Sequence, residues 1–141
     1  MHSRYEIHLE NYCKVMGIEA NTMVSMAKKY IFPAVTAYIK DLSNTVNELK
    51  AAVPNAPCKA EGELILKLSE LLNAMYEDNK RLEELSTEAT KLSGLQERAD
   101  YYRDNVIPYM AKVRASADEL ELITAKKYWP MPTYGDLIYK V

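Results

Sequence analysis

Histidine, cysteine and glycine are scarce in this chain of 141 residues, and each shortage closes off a class of chemistry. The only histidines are His2 and His8. A carboxylate-bridged metal site in a helical bundle needs a Glu-x-x-His pair on each of two helices, and none occurs. His8 and Cys13 stand five residues apart. On a helix that spacing points them to different faces, and no third group orients them, so they make no nucleophile–base pair. The glycines stand at 17, 62, 94 and 135, too scattered for a phosphate-cradling loop. Cys13 and Cys58 form no metal motif. A disulfide between them is possible but not required, and they read as reduced, partly buried thiols of a cytoplasmic protein.

Long apolar runs are also missing. Nothing approaches the roughly 20 residues needed to cross a bilayer, and the opening MHSRYEIHLENY has no apolar core of a secretory signal. A net charge of −2 and a pI near 5.7 give no electrostatic reason to expect nucleic acid or an acidic membrane as partner. No stretch keeps up the period-two alternation of a half-buried strand.

Helical pattern is what the chain has. Hydrophobic residues make up 48% and charged residues 27%, ordinary values for a soluble globular protein. The apolar set is rich in Tyr and Met, eleven and seven, against one Phe and one Trp. That mixture suits helix seams and half-buried contact surfaces. Tyr12, Met16, Met23, Ala27, Tyr30, Ala34, Tyr38, Leu42, Thr45 and Leu49 mark one stripe. Leu64, Leu68, Leu71, Met75, Leu82, Leu85, Ala89 and Leu92 mark a second, with Asn79 in one seam place. Leu95, Ala99, Tyr102, Val106, Tyr109, Val113, Ala117 and Leu120 mark a third. The expected fold is all-α, an up-down-up bundle of three long helices in a single domain. Helix one covers about 4–51, with a possible break near 17–21 at Gly17. Helix two covers 62–92 and helix three 95–126, followed by a non-helical aromatic tail over 127–141.

The breaks have local causes. Pro54, Pro57 and Gly62 end the first helix. Ser93-Gly94 separates helices two and three, with Gly94 expected in the left-handed cap conformation. Pro33 and Pro108 lie inside helical pattern and should kink helices one and three. Glu83-Glu84 and Glu119/Glu121 read as solvated helix faces, and Lys126-Lys127 as a helix C-terminus. If the chain turns over between about 51 and 62, Leu95 comes level with residue 21. Residues 4–20 then project uncovered past the bundle by roughly 25 Å. Their apolar side chains, Tyr5, Ile7, Tyr12 and Met16, would want an outside neighbour.

Three passages, RYEIHLENYCKVMGIEANTM, YYRDNVIPYM and WPMPTYGDLIYKV, resemble the C-terminal region of type III glutamine synthetases. The resemblance covers nearly the whole chain, and the closing Trp-Pro-x-Pro-Thr-Tyr-Gly run is its most specific part. It implies the last domain of a much longer enzyme. That enzyme ligates ammonia to glutamate with ATP and divalent ions (Mg or Mn) and assembles as stacked rings. The family's ATP-, metal- and glutamate-binding residues belong upstream, so none is carried onto a position here. The Met-His-Ser ahead of the matching run suggests an engineered or truncated start.

The resemblance implies a non-catalytic packing domain, whose partners would be the catalytic domain and neighbouring subunits, and the uncovered ends predict self-association of the chain alone. The expected docking surface is Tyr5, Ile7, Tyr12 and Met16 at one end and Trp129, Pro130, Pro132, Tyr134, Leu137 and Tyr139 at the other. Pro130 and Pro132 would stiffen the tail as a docking strap, unless it folds back along its own bundle. The alternatives are a free-standing helical adaptor that binds partner helices, or a small enzyme or ligand binder with its site inside the bundle. The lack of convergent polar groups in the sequence speaks against the last.

Overall fold

The computed structural model describes residues 4–131, and all its regular structure there is helical. Helix α1 covers Arg4–Met26, a π-helical turn Ala27–Ile31 follows, and α2 continues over Phe32–Ala52. The second rod is α3, Lys59–Lys91. The third is α4, Leu95–Tyr101, then a π-helical turn Tyr102–Val106 and α5, Ile107–Ile123. Three helical rods in an up-down arrangement are what the periodicity predicts. Among the described residues no helix is long and apolar enough to cross a membrane.

The two π turns have the same relation to a proline. One ends at Ile31, two residues before Pro33, and the other at Val106, two residues before Pro108. A proline inside a helix has no N–H to donate, and its ring collides with the carbonyl four residues back. A wider turn opens the helix where the ring needs room. The bond from the Ile107 N–H to the Tyr102 carbonyl, five residues back, shows that widening directly. Gly17 does not interrupt helix one, which runs unbroken through residues 17–21.

The chain falls into two compact units, one of residues 1–27 with 75–115 and one of 28–74 with 116–141. The first unit's core comprises Cys13, Ala20, Val24, Ala27, Met75, Leu82, Leu85, Ala89, Ala99, Tyr102, Val106, Met110 and Val113. A fully enclosed leucine such as Leu82 contributes about 1.5–3 kcal/mol relative to an exposed one. Ser86 donates to Asn21 and Asn79 to the Val24 carbonyl, so α1 and α3 run antiparallel. In the second unit Ile31, Val35, Cys58, Leu68 and Leu120 are buried, and the Tyr128 ring stands 5.0 Å from that of Tyr38.

The buried stripe of helix one lies one residue off the expected one. Cys13, Ala20, Val24, Ala27, Ile31 and Val35 face inward, whereas Tyr12 and Met16 are half-buried and Tyr30 is exposed. Size and closeness explain the difference. A seam of small residues lets helices approach, and the large Tyr and Met side chains then flank it. Helices two and three bury most of the positions their periodicity marked.

The register differs too. The Cys13 thiol reaches the Leu95 carbonyl at 4.0 Å, about two helical turns nearer the N-terminus than the sequence placed that level. Residues 4–20 are therefore covered in part, since Cys13 and Ala20 are buried and Tyr5 bonds to Gln96, while residues 4–8 are all exposed. The other end of helix one is exposed as well, at every residue from 47 to 55. The connection 53–58 is shorter than expected, because α2 runs to Ala52 and α3 begins at Lys59. Cys58 closes it with φ 47, a left-handed conformation that costs a non-glycine residue about 1–2 kcal/mol. Its carbonyl then accepts the Gly62 N–H at the start of α3. Gly94 is not left-handed. It has φ −80 and ψ 135 and opens α4, its carbonyl accepting the Arg98 N–H.

Candidate functional site

Small residues on α1 leave space in the first unit. Cys13, Gly17 and Asn21 follow one another at helical spacing, and with Thr90, Arg98 and Tyr102 they line an open groove of about 330 Å³. Its floor is Gly17, where the Tyr102 hydroxyl stands 3.1 Å from the place a β-carbon would take. Tyr102 is 2% exposed, and among the described residues its hydroxyl has no hydrogen-bond partner. Arg98 donates from Nε and Nη2 to the Leu92 carbonyl, at 3.3 and 2.7 Å. That bond satisfies one of the terminal carbonyls of the second rod. No described carboxylate pairs with Arg98.

The electrostatics of the groove follow from burial. Desolvation pushes the Cys13 thiol up from its ordinary value, opposed by the positive charge of Arg98. Burial also raises the Tyr102 phenol, and Arg98 again opposes. A thiol held neutral is a poor nucleophile. Among the described residues no three His, Cys, Asp or Glu side chains cluster to hold a metal ion. The groove presents two kinds of donor, the Arg98 guanidinium and the Tyr102 hydroxyl. Both cysteines are free and buried.

The residues expected to dock are placed unequally. Tyr5 and Ile7 are exposed at 61% and 55%, Tyr12 and Met16 half-buried. Trp129 is half-buried with its indole N–H enclosed and unpaired among the described residues, and Pro130 is exposed. Pro132, Tyr134, Leu137 and Tyr139 lie outside the described residues. Sequence reading missed Val15 and Ile18, exposed at 39% and 57%. With Ile7 they form an exposed stripe along α1, and Ile18 also stands at the edge of the groove. Intervals of eight and three residues carry that signal, but the heavier Tyr and Met stripe masks it.

The regular structure of the described residues defines an all-helical domain, and comparison with known proteins supplies its kind. The family model of the glutamine synthetase C-terminal domain matches residues 1–50. A glutamine synthetase of Butyrivibrio fibrisolvens is 34% identical over 148 residues, covering 100% of this chain and 20% of that protein. A type-3 glutamine synthetase of Dictyostelium discoideum is 29% identical over 147 residues, covering 99% of the chain and 20% of its own length. A glutamine synthetase of Bacteroides fragilis is 25% identical over 140 residues, covering 96% and 19%. The chain thus belongs with the C-terminal domains of glutamine synthetase and is a homologue of the type-3 form. It spans about one fifth of the length of these relatives.

Proposed function

We propose that this chain is a non-catalytic packing domain of a type-3 glutamine synthetase, seated against the catalytic part of the same polypeptide and against neighbouring subunits. The enzyme as a whole would join ammonia to glutamate in the cytoplasm, with ATP and Mg or Mn bound by residues outside this chain. One observation carries the reading: sequence similarity to such enzymes runs the full length of the chain yet accounts for only a fifth of theirs. The exposed Ile7, Val15 and Ile18 stripe supports it. An apolar stripe on an otherwise satisfied helix is the kind of surface a larger assembly covers.

The test is an Ile7→Glu/Ile18→Glu double substitution in the complete enzyme, followed by sedimentation velocity. Both side chains are more than half exposed, so the domain's own melting temperature should change little. The assembled species should dissociate to smaller ones. Unchanged sedimentation of the substituted enzyme would remove this face from the assembly, and the packing role would lose its support.

A further inference from the structure

The groove between α1 and α4 is an addition to that picture and does not depend on it. Three observations converge there. Tyr102 is almost wholly buried, yet its hydroxyl lines the groove with no hydrogen bond among the described residues. The ring is buried while the hydroxyl opens into the groove, so its O–H is free to donate to whatever enters there. Arg98 is half-buried on the same wall, with Nε and Nη2 committed to a carbonyl and Nη1 not committed to any described group. Gly17 lets the hydroxyl lie against the helix backbone, 3.1 Å from where a β-carbon would stand.

A guanidinium edge and a phenolic O–H are both donors, and together they suit an acceptor that carries negative charge. Planar delocalised charge favours a carboxylate, which the guanidinium fork matches in shape. At about 330 Å³ the space is near the lower end for small-molecule pockets. Glu10 and Lys14 both line the groove, and their opposite charges leave Arg98 to set the preference. We propose that this groove binds a small free carboxylate, gripped by Arg98 and the Tyr102 hydroxyl over the Gly17 floor.

Isothermal titration of the 141-residue chain with succinate and glutarate, at matched ionic strength, tests the proposal. Succinamide serves as the uncharged control and a short glutamate-bearing peptide as the other source of a carboxylate. Saturable binding of the diacids, with none of succinamide, is expected. Tyr102→Phe, which keeps the ring, should weaken that binding on the order of tenfold, and Arg98→Met up to a hundredfold. Arg103→Met alters an exposed arginine already paired with Asp100 and Asp104, and should leave binding unchanged. If Arg98→Met disturbs the end of α3, Tyr102→Phe still decides the matter. No saturable binding of either diacid, equal binding of succinamide, or an equal loss in Arg103→Met overturns the proposal. Binding of the peptide without the free diacids overturns it as well, because the groove would then be a contact for a protein side chain. Each of these outcomes is independent of whether the Ile7 and Ile18 face holds an assembly together.

Discussion

The Tyr102 hydroxyl rests against Gly17, 3.1 Å from the point where a β-carbon would stand. Helix one pays for this glycine with about 1 kcal/mol of propensity relative to alanine. In exchange the aromatic ring of helix three lies close against the backbone of helix one. Gly17→Ala should be close to neutral in urea denaturation, because the gain in propensity offsets a contact that must relax by a few tenths of an ångström. Gly17→Leu should lose about 1–3 kcal/mol through overpacking against the ring. A leucine variant as stable as the parent would show that Tyr102 swings out freely.

Asn79 is fully enclosed, with one weak bond of 3.4 Å to the Val24 carbonyl and an amide oxygen that has no partner among the described residues. A buried acceptor left unmatched costs about 1–3 kcal/mol. Asn79→Leu, which keeps the branched four-atom skeleton, is therefore expected to hold or raise stability by about 1 kcal/mol. A loss larger than 2 kcal/mol, read from the shift in urea midpoint at constant m-value, would contradict the expectation (about twice the gain it allows).

Cys13 and Tyr102 both have raised proton affinity in the folded chain, burial being the first cause for each. The unfolded chain then gives up these protons at a lower pH than the folded one, so folding favours the protonated forms. Stability from this source is complete below about pH 8.5, where the unfolded thiol begins to ionise. It falls as pH rises through that region and continues to fall past about pH 10, where the unfolded phenol follows. Cys13→Ser should remove the first part of the alkaline decline and leave the second. A melting temperature that rises between pH 8 and 10 would have the wrong sign.

Thr124 and Trp129 each enclose a polar atom without a partner among the described residues. Thr124→Val and Trp129→Phe delete those atoms and keep most of the shape, so each should leave stability unchanged or raise it by about 1 kcal/mol. Trp129→Ala removes the ring itself. Because the ring is half-buried in its own unit, that variant should lose roughly 2 kcal/mol by thermal melting. An unaltered melt in Trp129→Ala would free the tryptophan for a role outside the unit.

Much of this molecule could be read from residue order. Leu68, Met75, Leu82 and Leu85 declare their seam by spacing alone, and all four are buried. Pro54 and Pro57 mark the first turn and Ser93-Gly94 the second, and the helices end and begin there. The groove was not legible. It depends on Gly17 and Tyr102, far apart in sequence, meeting at one level, and spacing within a helix carries no information about level between helices.

Local physics therefore determined the helical rods, their boundaries and the places where a proline has to be accommodated, because hydrogen bonds within a helix and steric limits on φ act between near neighbours. Tertiary packing alone decided the rest. It rotated the buried stripe of helix one onto Cys13, Ala20 and Val24, covered part of residues 4–20 while leaving 47–55 exposed, and set the Tyr102 hydroxyl over Gly17. Those choices follow from how closely side chains of different size allow two rods to approach, a quantity that exists only when both rods are present.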